Sequence, residues 1–336
     1  MKKIVAVMLS LMLMLSCFLP AAAEVKKISV ITTIFPLYDW TREVIGQDSG
    51  NVELTMLLDN GVDLHSYQPT VQDIVKISTC DVFIYVGGES DKWVSSALAE
   101  AVNKDMKVIN LLEAMGEDLK TEEIVEGMEH DHDHEEDHDH EAEADHNHEE
   151  DHDHEHEEEA DEHVWLSLRN AQKLVQVIAA TLSEADPADA EKYQANAAAY
   201  REKLAQLDAR YAEAVNAAKN KTLLFGDRFP FRYLVDDYGL SYYAAFSGCS
   251  AETEASFETI VFLARKVDEL GLSTVLTMEN AQTRIAETIV ESTSAKNQKV
   301  LAMDSMQGTT SAGVQSGVTY LSIMESNLKV LEEALR

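Results

Sequence analysis

Cysteine and basic side chains are scarce in this chain of 336 residues. The three cysteines, Cys17, Cys80 and Cys249, are too few and too widely spaced for the disulfide framework of a small secreted domain. Cys80 and Cys249 could pair, but two unpaired cysteines in the core or in loops are the simpler interpretation. The 27 Lys and Arg residues face 61 Asp and Glu residues, and the net charge of -34 makes nucleic acid and anionic membrane surfaces poor partners.

Catalytic signatures are also missing. The sequence has no G-x-S-x-G elbow, phosphate-binding glycine loop or catalytic cysteine context. Two H-E-x-x-H matches begin at His134 and His148, but metalloprotease chemistry needs a buried helix, and nothing around them could bury one. A secreted metallohydrolase is therefore disfavoured, and we predict that the protein is not an enzyme.

The first 23 residues are predicted to be a signal peptide. Lys2 and Lys3 precede an apolar run over 4–19, which is too short for a stable transmembrane helix, and Ala23 ends a small-residue cleavage site. A lipoprotein site at Cys17 is the alternative. In both cases the mature protein works outside the cytoplasm, in the periplasm or at the cell surface.

The remaining chain is predicted to form an α/β structure with two parallel-sheet lobes, over 24–186 and 220–336. Strands are predicted at 28–34, 52–58, 81–86, 107–111, 222–225, 242–246, 274–278 and 300–303. Helices are predicted at 37–45, 71–79, 92–102, 169–183, 229–238, 257–270, 284–293 and 318–335. This alternation is typical of parallel sheets covered by helices, and the length suits two domains.

A long helix over 187–219 joins the two predicted lobes. Its large side chains, among them Tyr193, Tyr200 and Tyr211, recur at helical spacing over about eight turns. Such a helix would act as a rigid strut and leave one cleft between the lobes.

An acidic, histidine-rich segment over 129–162, hereafter the tract, separates the two halves of the first lobe. It has ten of the twelve histidines and twenty carboxylates, with no Lys or Arg. The histidines are His130, His132, His134, His138, His140, His146, His148, His152, His154 and His156. Because its only apolar side chains are three alanines, we predict a disordered loop that binds several cations weakly.

Only His65 and His163 lie outside the tract. Polar residues follow several predicted strands, at the edge where parallel sheets bind ligands: His65, Asp227, Glu279 and Asp304. A lone histidine is usually a satisfied core or surface residue, but two that both end predicted elements favour metal ligands. For Asp227 and Asp304, a helix N-cap or turn role explains the residue nearly as well.

The chain resembles the ZnuA-like zinc and manganese solute-binding proteins of ABC importers. The resemblance extends over most of the mature chain, through the segments Thr32–Tyr38, Asp63–Thr70, His163–Leu166, Leu182–Pro187 and Ser250–Ser256. It implies a receptor that binds a divalent metal between two lobes and delivers it to the membrane subunit of an importer. It also implies that His65 and His163 are ligands.

The resemblance leaves the other ligands open. Zinc-type members have a third histidine where this chain has Gly226-Asp227-Arg228-Phe229, so Asp227 is the nearest replacement, one position away. The family's final acidic ligand corresponds to Asp304. Cys249 or a tract histidine could substitute for Asp227, and Glu252 and Glu279 are further pocket candidates.

Zinc is the expected metal, because it outranks manganese at nitrogen and oxygen sites of the same composition. A manganese receptor of the same family is the alternative, since two histidines with carboxylates are the ligand set of that branch. A zinc-buffering protein whose functional site is the tract is a further alternative. We expect a monomer that binds no nucleic acid.

Overall fold

The computed structural model describes residues 27–46, 50–128, 159–250, 254–280 and 282–336. The predicted signal peptide with Cys17, the ten tract histidines and Glu252 lie outside these ranges. Within them, no helix is both long and apolar enough to cross a membrane.

The N-terminal lobe is built on a four-stranded parallel sheet of order β2-β1-β3-β4. Its strands are β1 (Ile28–Thr32), β2 (Val52–Met56), β3 (Val82–Tyr85) and β4 (Lys107–Asn110), and its helices are α1 (Phe35–Ile45), α2 (Val71–Thr79), α3 (Trp93–Ala99) and α4 (Leu111–Met115). A capping box between Thr70 and Asp73 starts α2, which has the predicted bounds. The central strand β1 is hydrophobic because helices cover both faces of a parallel sheet.

The C-terminal lobe repeats this plan with a parallel sheet of order β6-β5-β7-β8. Its strands are β5 (Thr222–Phe229), β6 (Ser241–Ser247), β7 (Thr274–Met278) and β8 (Lys299–Met303). Helix α5 (Leu168–Ala185) packs on the N-terminal lobe, α6 (Ala190–Ala217) links the lobes, and the other helices are α7 (Arg232–Tyr238), α8 (Phe257–Leu270), α9 (Arg284–Ser292), α10 (Ser311–Gln315) and α11 (Tyr320–Ala334). The predicted fold class is thus confirmed.

Helix α6 is the long helix that the sequence predicts. Tyr193, Tyr200 and Tyr211 are all buried along one side of it. It packs against α1 and α5 of the N-terminal lobe and against α7 and α11 of the C-terminal lobe. One apolar core therefore continues from one lobe into the other.

Two predicted elements are corrected by the structure. The helix predicted at 229–238 begins only at Arg232, because Pro230 disfavours a helical conformation for the preceding Phe229 and β5 extends to that residue. The register of β5 against β6 shifts between Phe225 and Arg228, so Asp227 lies within an irregular strand rather than after its end.

The last part of the tract is ordered, although the sequence predicts disorder to residue 162. Ala160 forms a bridge with Thr121, and the amide of Asp161 donates to the carbonyl of Lys120 at 2.9 Å. The side chains of Asp161 and Glu162 are buried. These carboxylates are ordered because they have imidazole and amide partners, which composition alone does not reveal.

Candidate metal centre

His65 lies on the short 3-10 helix Leu64–Ser66 that follows β2. Asp63 caps this turn, because its side chain accepts a hydrogen bond from the His65 amide at 2.9 Å. The His65 Nδ1 atom lies 2.8 Å from the Ser90 hydroxyl and 3.5 Å from a carboxylate oxygen of Glu162. These two partners hold the ring so that Nε2 points away from them.

His163 lies directly before the 3-10 helix Val164–Leu166 and is fully buried. Asp161 Oδ1 accepts from the His163 amide at 2.8 Å and lies 3.0 Å from its Nδ1. Because an ionised carboxylate can only accept, Nδ1 carries the proton and Nε2 keeps a free lone pair. A carboxylate on the second nitrogen is the usual support for a metal-binding histidine.

The two Nε2 atoms of His65 and His163 face each other at 3.3 Å. Two nitrogens bound to one tetrahedral zinc ion, each 2.0–2.1 Å from it, would be separated by about this distance. Burial and the neighbouring His163 lower the pKa of His65 to about 4, so its ring is neutral at physiological pH. Burial lowers the pKa of His163, but Asp161 and other carboxylates outweigh that effect and raise it. A cation bound between the two Nε2 atoms would displace any proton from His163, and the facing geometry of the two rings, rather than their titration, is what suits a metal ion.

Cys249 brings a third ligand atom to this pair from the C-terminal lobe. One ligand atom each from His65, His163 and Cys249 lie within 4.8 Å of one another. No other set of three or more His, Cys, Asp or Glu side chains meets this criterion in the described part of the chain. Cys249 follows β6 and forms no disulfide. The group therefore spans both lobes.

Asp227 is not brought into this group. Its two carboxylate oxygens accept from the amides of Arg228, at 2.8 Å, and Met278, at 2.9 Å, so it stabilises the irregular part of β5 and its contact with β7. The Arg228 guanidinium instead reaches the other lobe and pairs with Asp63 at 2.7 Å.

Asp304 and Glu279 also lie outside the group. Asp304 accepts from the amide of Met306 at 2.7 Å, and Glu279 accepts from the amide and the hydroxyl of Ser305, both at 2.7 Å. Burial and the adjacent Asp304 raise the pKa of Glu279 to about 7. Glu279 lines a cavity of about 790 Å³ together with Asp63 and Arg228, so its carboxylate belongs to the wall of the cleft between the lobes.

Comparison with known proteins identifies the family of this chain. Residues 30–334 match the model of the family "Zinc-uptake complex component A periplasmic", ZnuA. The chain belongs to the ZnuA family. The zinc-binding lipoprotein AdcA of Streptococcus pneumoniae is 34% identical over 99% of this chain, and the high-affinity zinc uptake system protein ZnuA of Bacillus subtilis is 30% identical over 92%.

The relatives differ in length. The match spans 61% of the pneumococcal AdcA and 55% of AdcA from Streptococcus pyogenes, but 88% of the Bacillus protein, so the chain spans little more than half of the AdcA proteins. The crystal structure of the Zn(II)-bound ZnuA-like domain of pneumococcal AdcA superposes with a TM-score of 0.68 at 30% identity. That match covers 92% of this chain and 99% of the domain, so the chain corresponds in extent to one domain of AdcA.

Sequence reasoning about this ZnuA-family chain missed three carboxylates next to the candidate ligands. Asp161 and Glu162 support the two imidazoles, and Glu122 accepts from the Cys249 amide at 2.8 Å. Acidic residues directly before His163 could have suggested the first two, but they were hidden among the twenty carboxylates of the tract. No motif marks Glu122, which is 127 residues from Cys249.

Replacing Asp161 with alanine should weaken zinc binding by about 10–100-fold, the usual effect of losing the carboxylate partner of a metal-binding histidine. The His163 ring would lose the acceptor that sets its tautomer and orientation. We would measure affinity by competition with a chelator. Asp118→Ala is the matched control, because Asp118 is an exposed partner of Lys173. Equal affinities of both variants would contradict the positioning role of Asp161.

Proposed function

We propose that the protein is an extracytoplasmic receptor that captures zinc between its two lobes and delivers it to the membrane subunit of an ABC importer. The observation that carries the proposal is the pair of Nε2 atoms 3.3 Å apart, each on a ring held from its other nitrogen. Membership of the ZnuA family supports the receptor role. The proposal assigns the protein no catalytic step.

Zinc is favoured over manganese by the type of donor atom. His65 and His163 offer imidazole nitrogens, which suit zinc, whereas manganese prefers oxygen ligands. The candidate carboxylates Asp227, Asp304 and Glu279 are all engaged by backbone amides instead. The relatives named for zinc binding support the same choice.

The contribution of the tract can be separated from that of the cleft by a tract-silent variant, in which the ten tract histidines are replaced by asparagine. The change stops before residue 159, because Asp161 and Glu162 contact the candidate ligands. We expect the variant to keep one tight zinc site and to lose weaker sites, and zinc to displace manganese from it. Competition titrations with metal analysis measure both.

Two results would contradict this expectation in different ways. Loss of all tight zinc binding in the tract-silent variant would favour a buffering protein whose site is the tract. Retention of manganese against zinc would favour a manganese receptor, with the cleft as its site.

A further inference from the structure

We propose that Cys249 binds the captured metal as a thiolate, so that the site has two imidazole nitrogens and one sulfur. This inference rests on the proposed function and specifies the ligand set. It is based on the three ligand atoms of His65, His163 and Cys249, which meet within 4.8 Å across the two lobes. In a tetrahedral zinc site, with zinc–nitrogen bonds of about 2.0 Å and a zinc–sulfur bond of about 2.3 Å, the sulfur would lie about 3.6 Å from each nitrogen. A movement of about 1 Å is enough to complete such a shell.

The loop that carries Cys249 is built to approach His163. A Cβ atom at Gly248 would lie 3.0 Å from the Cε1 atom of His163 and 2.9 Å from the carbonyl oxygen of Phe229. A larger residue would thus push the loop away from the imidazole. On the other side, Glu122 of the N-terminal lobe accepts from the Cys249 amide at 2.8 Å. Two independent contacts therefore hold Cys249 at the metal site.

Cys80 shows what an ordinary buried cysteine looks like in the same protein. It is fully buried in an apolar cluster with Ile31, Ile77 and Phe83, and its thiol donates to the carbonyl of Ile77 at 3.2 Å. Cys249 instead is half-buried and faces imidazoles and carboxylates. Cys80 therefore has only packing neighbours, whereas Cys249 lies beside two other potential metal ligands.

A thiolate ligand would sharpen the choice of metal. Binding through sulfur releases the thiol proton to solvent, and the resulting thiolate is a soft donor that favours zinc, cadmium and copper(I) over manganese. Cys249 would supply the third donor from the neighbouring strand end, since β6 pairs with β5 at Arg228 and Phe246.

Cobalt(II) and cadmium(II) report on this bond directly, because a metal–thiolate bond produces a charge-transfer absorption that histidine and carboxylate ligands do not. The tract contains no cysteine, so its bound ions are silent in this assay. With one equivalent of metal, we expect the full chain and its Cys80→Ser and Cys17→Ser variants to show the band of one thiolate. Cys249→Ser should lose the band.

A second measurement uses the unmodified chain, so it does not require any variant to fold. Zinc should protect Cys249 of the unmodified chain from alkylation, read by mass spectrometry of the peptide that contains it. A band that persists in Cys249→Ser, or alkylation of Cys249 unaffected by zinc, would overturn the inference. If His163→Ala weakens metal binding but the unmodified chain shows no thiolate band, the proposed function stands and the thiolate ligand is wrong. If His163→Ala changes neither binding nor spectrum, the proposed function itself fails.

Discussion

Replacing His163 with alanine is expected to lower the affinity for zinc by more than about 100-fold. Loss of a supporting carboxylate already weakens metal binding by about 10–100-fold, so loss of the ligand itself should exceed that range. The variant would leave the Nε2 atom of His65 without its partner and the carboxylate of Asp161 without the ring that it orients. Water would fill the open position poorly, because His163 is fully buried.

Zinc affinity is best measured by competition with a chelator that binds zinc more tightly than the tract does, so that only the tight site is counted. His65→Ala should behave like His163→Ala, since both rings offer one Nε2 atom to the same centre. His148→Ala is the control, because it removes one of ten tract histidines and should leave the tight site unchanged. Unfolding of the metal-free variants shows whether they fold. Wild-type affinity in both site variants would place the metal elsewhere.

Replacing Trp165 with alanine is expected to lower the free energy of unfolding by about 3–5 kcal/mol, the range for truncating a buried tryptophan. Trp165 is fully buried, and its indole N–H donates to the carbonyl of Ser305 in the C-terminal lobe at 2.9 Å. Its own carbonyl accepts from the hydroxyl of Tyr320 at 2.7 Å. The truncation would remove packing between the lobes and leave the carbonyl of Ser305 without the indole N–H that donates to it.

Urea unfolding of the metal-free chain measures this effect. Trp165→Phe should be less severe, because it keeps most of the ring volume but loses the hydrogen bond to Ser305. Trp93→Ala is a suitable comparison. Trp93 is only half-buried, and among the described residues its indole N–H has no hydrogen-bond partner. An equal or larger loss in Trp93→Ala would show that Trp165 does not join the lobes. Because the Trp165 ring lies 5.2 Å from that of His163, centroid to centroid, zinc affinity should also fall.

Most helices and strands could be predicted from the sequence, because hydrophobic periodicity and capping residues act within one element. The capping box at Thr70 and the tyrosines along α6 are examples. Helix α7 starts three residues later than hydrophobic periodicity predicts, because Pro230 disfavours a helical conformation at Phe229. Strand β5 is correspondingly longer than predicted, so Asp227 lies in its irregular part and accepts from the Arg228 amide.

The sequence by itself determined that this is a two-lobe α/β protein of the ZnuA type, and its shortage of histidine outside the tract singled out His65 and His163. Only the tertiary structure decided which other side chains meet them. Cys249 and Glu122 are far apart in the chain, and their approach depends on the packing of a loop after β6 against the N-terminal lobe. Donor atoms that converge on one ion must agree within about an ångström, and such agreement arises from contacts between distant segments that no local pattern records.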